Sequence, residues 1–80
     1  LAVTYSQLGK CFLDQGDLTK AERCLNNASE HYIKLGNEPA EAAVLGLLGS
    51  LYEQRNDHVS ARRCLERVVL INQRYHLKKV

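Results

Sequence analysis

Apolar side chains recur along this chain with the spacing of helices. In the first segment, Tyr5, Leu8 and Phe12 fall at i, i+3 and i+7, which places them on one face of a helix. The next segment carries a similar stripe at Ala21, Cys24, Leu25, Ala28 and Tyr32. No stretch alternates apolar and polar residues in the manner of a half-buried strand. The pattern therefore predicts an all-α protein.

Turn residues separate these stripes. Gly16 follows the first stripe, and glycine readily takes the left-handed conformation found just past a helix end. Asp17 can then cap the next helix, and Asn56-Asp57 repeats the pair later in the chain. Pro39 suits the first turn of a third helix, where its missing N–H is not needed. The predicted helices span about residues 2–15, 18–35, 39–55 and 58–77.

The chain contains an internal repeat. Shifting it by 40 residues aligns eight identical pairs without a gap. The pairs are Ala2 and Ala42, Leu8 and Leu48, Gly9 and Gly49, Asp17 and Asp57, Ala21 and Ala61, Arg23 and Arg63, Cys24 and Cys64, and Leu25 and Leu65. We therefore expect two helix-turn-helix units, at residues 1–37 and 38–80, that form part of an α-solenoid.

Two of the repeated residues are glycines inside helices. A mid-helix glycine costs about 1 kcal/mol relative to alanine, so Gly9 and Gly49 suggest a packing requirement. We expect each to face the alanine of its partner helix, Ala21 or Ala61, and to let the two backbones approach closely.

Length and composition narrow the class of protein. The 80 residues are 45% hydrophobic and 25% charged, with no Met. One domain fits this length, and no apolar run reaches the roughly 20 residues needed to span a bilayer. Because a natural chain starts with Met, we expect a segment of a larger protein. Cys11, Cys24 and Cys64 are odd in number and lack CxxC spacing, so we expect free thiols in an intracellular, cytoplasmic protein, without metal or cofactor.

Charge is distributed unevenly. Residues 1–54 carry four basic and seven acidic side chains, whereas residues 55–80 carry seven basic and two acidic ones. A basic end allows contact with nucleic acid or an acidic surface. No aromatic residues interleave with Arg62, Arg63, Arg67 and Arg74 to stack bases, so we favour solvation of a long helix and regard a nucleic-acid partner as the weaker alternative.

The order of large, small and turn residues resembles the tetratricopeptide repeat. The first unit carries it at Tyr5, Leu8-Gly9, Phe12, Gly16-Asp17, Ala21, Leu25 and Ala28. The second carries it at Leu45, Leu48-Gly49, Tyr52, Asn56-Asp57, Ala61, Leu65 and Val68. The usual repeat has about 34 residues and a terminal Pro, a position that Ile33 occupies here. The 40-residue spacing resembles the longer repeats of kinesin light chain and rapsyn scaffolds.

This resemblance implies binding of a protein or peptide through a concave groove lined by the first helix of each unit. The groove candidates are Val3, Ser6, Gln7, Lys10, Leu13, Asp14, Ala43, Gly46, Leu47, Ser50, Glu53 and Gln54. The family's carboxylate clamp is not matched, and Lys10 is the one plausible donor to a carboxylate. The asparagine ladder of some long-repeat scaffolds is also missing, since Gln7 and Leu47 occupy those places. The alternative is that these positions face solvent or neighbouring repeats.

A second hypothesis is a structural spacer or self-association element. Val69, Leu70 and Ile71 belong to a run of apolar residues that covers more than one face of the last helix. We expect them to contact another copy of the chain or a neighbouring repeat. An enzyme is not expected, because the sequence holds no P-loop, HExxH or GxSxG motif.

Overall fold

The protein consists of helices throughout the described part of the chain. The computed structural model describes the backbone of residues 2–78 and the side chains of residues 3–74. In order, the helices are α1 (Ala2–Gln15), α2 (Leu18–Leu35), α3 (Glu38–Gln54) and α4 (His58–Lys78). The predicted all-α fold of two helical hairpins is confirmed. Residues 1, 79 and 80 of the predicted units lie outside the description, and the boundary between residues 37 and 38 stays a prediction.

All three connections between helices use the same tight turn. After α1, the Gly16 N–H donates to the Leu13 carbonyl at 3.1 Å and the Asp17 N–H donates to the Phe12 carbonyl at 2.9 Å. This is the Schellman pattern, which needs a left-handed residue just past the helix end. The residues in that position, with their φ angles, are Gly16 (84°), Gly36 (70°) and Asn56 (62°). Asparagine therefore replaces glycine with the turn preserved, as the repeat predicts.

The residue after each left-handed position caps the following helix. The Lys20 N–H donates to Asp17 Oδ1 at 3.3 Å, and the Ser60 N–H donates to Asp57 Oδ1 at 3.2 Å. Asn37 caps α3 in the same way. The Ser60 hydroxyl and N–H hold the pKa of Asp57 below its usual value, because both bonds favour the ionised carboxylate. Glycine or asparagine followed by a capping residue thus sets where α2, α3 and α4 begin.

Helix α3 lies at the centre of the molecule, in contact with the other three helices. The buried apolar cluster around it consists of Leu13, Ala21, Leu25, Ala28, Tyr32, Val44, Leu48, Leu51 and Cys64. Burial raises the pKa of the Cys64 thiol, as expected for a cysteine that packs as an apolar side chain. The core is therefore shared between the two hairpins.

The two mid-helix glycines differ in their surroundings, although the repeat makes them equivalent. A Cβ added to Gly9 would lie 2.6 Å from Cγ of Leu25, whereas one added to Gly49 would meet only Cβ of Cys64, at 3.9 Å. The close neighbour of Gly9 is thus Leu25 rather than the expected Ala21. The expectation of one shared tight approach is wrong for Gly49, where an alanine would make ordinary contact.

Candidate interaction groove

A groove of about 220 Å³ runs between α1 and α3. Its lining residues are Ser6, Gln7, Lys10, Tyr32, Ala40, Ala43, Val44 and Leu47. The walls contributed by α3 are apolar, and α1 contributes the polar side. Among these lining residues Lys10 alone is charged. The groove can therefore accept an apolar side chain and hold an acidic group at its α1 edge.

The structure brings five of the predicted groove residues together here. They are Ser6, Gln7, Lys10, Ala43 and Leu47. Val3 and Asp14 are exposed on α1 but do not line the groove. Leu13 is a correction, because it is buried in the core and faces the other helices rather than a partner. Leu13 lies one turn from Lys10, so sequence spacing alone cannot assign it to the outer or inner side of α1.

The remaining candidates line a separate depression of about 410 Å³ between α3 and α4. The candidates in it are Gly46, Ser50, Glu53 and Gln54, and they are joined by Gly49, Ala61 and Leu65. The single concave surface expected from the sequence is thus divided between two faces of α3. Only the first of these faces is shared with α1.

Three lining residues of the groove were not among those predicted from the sequence. Ala40 and Val44 lie on the same side of α3 as Leu47, with spacing i, i+4 and i+7 that could have revealed them. Tyr32 comes from α2 and is mostly buried. Its position at the groove depends on how α2 packs, for which the sequence carries no local signal.

The predicted self-association residues do not share one surface. Val69 and Leu70 are about half exposed, but Ile71 is only 1% exposed and belongs to the interior. Ile71 cannot contact a partner directly, so its assignment is corrected. Its side chain lies on the side of α4 that packs against the rest of the protein.

Three arginines of the basic segment 55–80 form ion pairs with glutamates of residues 1–54. The pairs are Arg55 with Glu22 at 2.7 Å, Arg67 with Glu41 at 2.9 Å, and Arg74 with Glu38 at 2.6 Å. The hydrogen bond from Arg67 to Glu41 raises the pKa of that guanidinium further. The charge asymmetry of the sequence thus becomes ion pairing between helices, which reduces the basic surface open to an acidic partner.

Glu22 links the two hairpins by accepting two hydrogen bonds, one from the last turn of α3 and one from the residue that caps its C-terminal end. The Tyr52 hydroxyl donates to Glu22 Oε2 at 3.1 Å, and Arg55 Nη1 donates to Oε1 at 2.7 Å. Partial burial, together with the hydrogen bond and negative charge of Glu22, raises the pKa of Tyr52 to about 12. This group of three is a polar contact between α2 and α3.

Replacing Tyr52 by phenylalanine tests this contact. We expect Tyr52→Phe to lower the free energy of unfolding by about 1 kcal/mol near neutral pH, the typical net value of one hydrogen bond. The raised pKa means that the contribution is fully present below pH 10, the ordinary tyrosine value, and is lost as the pH rises toward 12. Urea unfolding from pH 8 to 11.5 should therefore show the wild type and the variant converging.

Tyr5→Phe is the matched control, because Tyr5 stacks on His31 rather than bonding Glu22. Tyr5→Phe therefore measures the effect of removing a tyrosine hydroxyl with the Glu22 contact intact. A constant gap between wild type and Tyr52→Phe across the pH range would contradict the assigned hydrogen bond.

The hairpins of α1 with α2 and α3 with α4 place the chain among helical-repeat proteins. The family model for the tetratricopeptide repeat matches residues 1–73, and the chain belongs to this family. Comparisons with curated proteins and with solved structures gave no significant match. The family indicates a protein-interaction scaffold and is typically not enzymatic.

Two further findings concern the chemistry of residues 2–78. Within that range, no helix combines the length and apolar character needed to cross a bilayer. Among the side chains of residues 3–74, no three histidine, cysteine or acidic groups come together as metal ligands.

Proposed function

We propose that this protein is a scaffold module that binds a segment of a protein partner in the groove between α1 and α3. The observation that carries the proposal is the convergence of predicted residues from two helices on one groove of about 220 Å³. The membership in the tetratricopeptide-repeat family supports the general class. The groove is short, so it suits one or two anchoring side chains rather than a whole helix.

The chemistry of the walls indicates the kind of segment that fits. An apolar side chain would pack on Leu47 and Ala43, where it leaves water. An acidic group beside it would approach Lys10, which is exposed on the opposite wall. Gln7 offers a further donor and acceptor to the backbone of the segment, and the Ser6 hydroxyl, which donates to the Val3 carbonyl at 2.9 Å, offers an acceptor. An apolar residue next to an Asp, a Glu or a terminal carboxylate is therefore the preferred ligand.

Selection of binders from a random-peptide display library tests the groove without knowledge of the natural partner. We expect the selected peptides to combine an apolar and an acidic residue, and to bind Lys10→Glu with Ala43→Glu at least tenfold more weakly than the wild type. Both side chains are exposed, so the double variant should fold normally. Fluorescence anisotropy with the synthesised peptides gives the two dissociation constants.

Arg63→Glu with Val59→Glu is the matched control, since it makes similar changes at exposed positions of α4 that do not line the groove. It should bind the same peptides like the wild type. Equal loss in both double variants would indicate a general charge effect. Full binding by the groove variant would place the site elsewhere.

The other functions considered are less well supported. A nucleic-acid contact would require basic residues, three of which form ion pairs with glutamates.

We propose that the protein is cytoplasmic, and the support for this proposal is the presence of three free thiols.

A further inference from the structure

Residues that the repeat makes equivalent differ sharply in burial. Leu25 is 0% exposed, but its equivalent Leu65 is 56% exposed. The opposite holds on the first helices, where Leu8 is 43% exposed and its equivalent Leu48 is 3% exposed. These differences cannot come from the local sequence, because both pairs are identical leucines at equivalent positions.

Helix α3 accounts for both differences. It packs on the α1–α2 hairpin, and Leu25 and Leu48 belong to the same buried cluster. Among the described residues, no further helix packs over Leu65 on α4 or over Leu8 on α1. The molecule therefore presents, at its two ends, the two halves of the interface that it has already formed once in its interior.

Each half can be defined by its residues. The end face consists of the exposed Leu65 and Val69, which lie beside the buried Gly49 and Ala61. By the repeat, these four residues correspond to Leu25, Ser29, Gly9 and Ala21 of the first hairpin, all of which are buried. The start face consists of Thr4, Leu8 and Cys11, which correspond to the buried residues Val44, Leu48 and Leu51 of α3.

We propose that a second copy of this chain stacks head to tail on the first, with its start face covering the end face. The contact would repeat the way in which α3 covers the first hairpin. The depression of about 410 Å³ that includes Gly49, Ala61 and Leu65 would receive the side chains of the incoming α1. Burial of Leu8 and Leu65 drives the contact, as for any apolar surface removed from water.

This contact is weaker than the internal one for identifiable reasons. Thr4 and Cys11 stand where α3 has Val44 and Leu51, so the start face is less apolar. The Glu22–Arg55 ion pair also has no counterpart. Its equivalents across the copy junction are Arg62 and Gln15, by the 40-residue shift. Association should therefore appear only at high protein concentration.

Unlike faces meet in this arrangement, so the contact is heterologous. A heterologous contact that does not close into a ring adds further copies at both ends. The mass should consequently keep rising with concentration instead of stopping at the dimer. This behaviour distinguishes the proposed contact from a symmetric dimer formed by α4 alone.

Two exposed-leucine variants test the proposal by complementation. Leu8→Lys blocks the start face and Leu65→Lys blocks the end face. In sedimentation equilibrium we expect each variant alone to remain at the 9.0 kDa mass of one chain, while the wild type exceeds it at millimolar concentration. An equimolar mixture retains one intact junction, so it should approach twice that mass and rise no further.

Any one of three results would overturn the proposal. They are a wild type that stays monomeric, single variants that associate like the wild type, or a mixture that stays monomeric. Circular dichroism checks that both variants are folded. Val59→Lys is the matched control, since Val59 is 66% exposed yet its equivalent, Thr19, is also exposed and lies outside the internal interface. It should associate like the wild type.

A gain-of-function variant examines the register of the two copies. Gln15→Arg with Arg62→Glu restores, across the junction, the ion pair that Arg55 and Glu22 form inside the chain. Both positions are exposed, so folding should be unaffected. We expect the association constant to rise about two- to fivefold at low salt, the range for one surface ion pair. Unchanged or weaker association in the double variant contradicts the head-to-tail register.

Discussion

Gly9→Ala is expected to lower the free energy of unfolding by about 1–3 kcal/mol, the usual cost of overpacking. The new Cβ would lie 2.6 Å from both Cγ and Cδ2 of Leu25, and 3.4 Å from its backbone nitrogen. Leu25 is fully buried between α1 and α3, so it cannot turn aside without disturbing its neighbours. The steric cost should exceed the gain in helix propensity of about 1 kcal/mol that alanine brings.

Gly49→Ala is the matched control, because it makes the same change at the equivalent position. Its Cβ would meet Cβ of Cys64 at 3.9 Å, an ordinary contact. Only the propensity gain remains, so we expect this variant to be up to about 1 kcal/mol more stable than the wild type. Urea unfolding followed by circular dichroism gives both values. Equal shifts in the two variants would contradict the difference in packing.

These two glycines also show what the sequence could and could not predict. The positions of turns and caps could be predicted from the sequence, because Gly16-Asp17 and Asn56-Asp57 act on the backbone next to them. The contact of Gly9 could not be predicted, because it depends on how α2 packs on α1 and brings Leu25 against Gly9. Identical residues in a repeat share a local conformation but not a set of neighbours.

The same distinction between local and tertiary effects applies to the candidate groove. The sequence predicted that one face of α1 would carry Ser6, Gln7 and Lys10, and the structure brings them to the groove. Leu13 and Ile71 lie on helices at the border between an inner and an outer face, and both are buried. A shift of one residue along a helix rotates the side-chain position by about 100°, which is enough to exchange core and surface.

Ion pairs between helices were the feature least predictable from the sequence. Arg67 and Glu41 are 26 residues apart, so no local spacing rule applies to them. The excess of basic residues over 55–80 was visible in the sequence, where we interpreted it as solvation of a long helix, with an acidic partner as the weaker alternative. In the structure, three of these arginines form ion pairs with glutamates of residues 1–54.

Arg67→Ala is expected to destabilise the protein by about 1–3 kcal/mol. The Glu41 side chain is only 4% exposed, and Arg67 Nε donates to its Oε2 at 2.9 Å. Removing one member of a buried pair leaves an uncompensated charge, which costs about 3–5 kcal/mol when the site is fully closed. Because the Arg67 side chain is 41% exposed, water can enter after its removal and reduce the cost.

The decisive comparison replaces both members of the pair. Glu41→Leu with Arg67→Met removes the buried charge together with its partner, and such replacements are often neutral or stabilising. We expect the double variant to recover most of the stability lost in Arg67→Ala. Urea unfolding at pH 7, followed by circular dichroism, gives the free energies of unfolding of both variants. A double variant no more stable than Arg67→Ala would show that Arg67 acts through the packing of its stem on α3 rather than through the charge of Glu41.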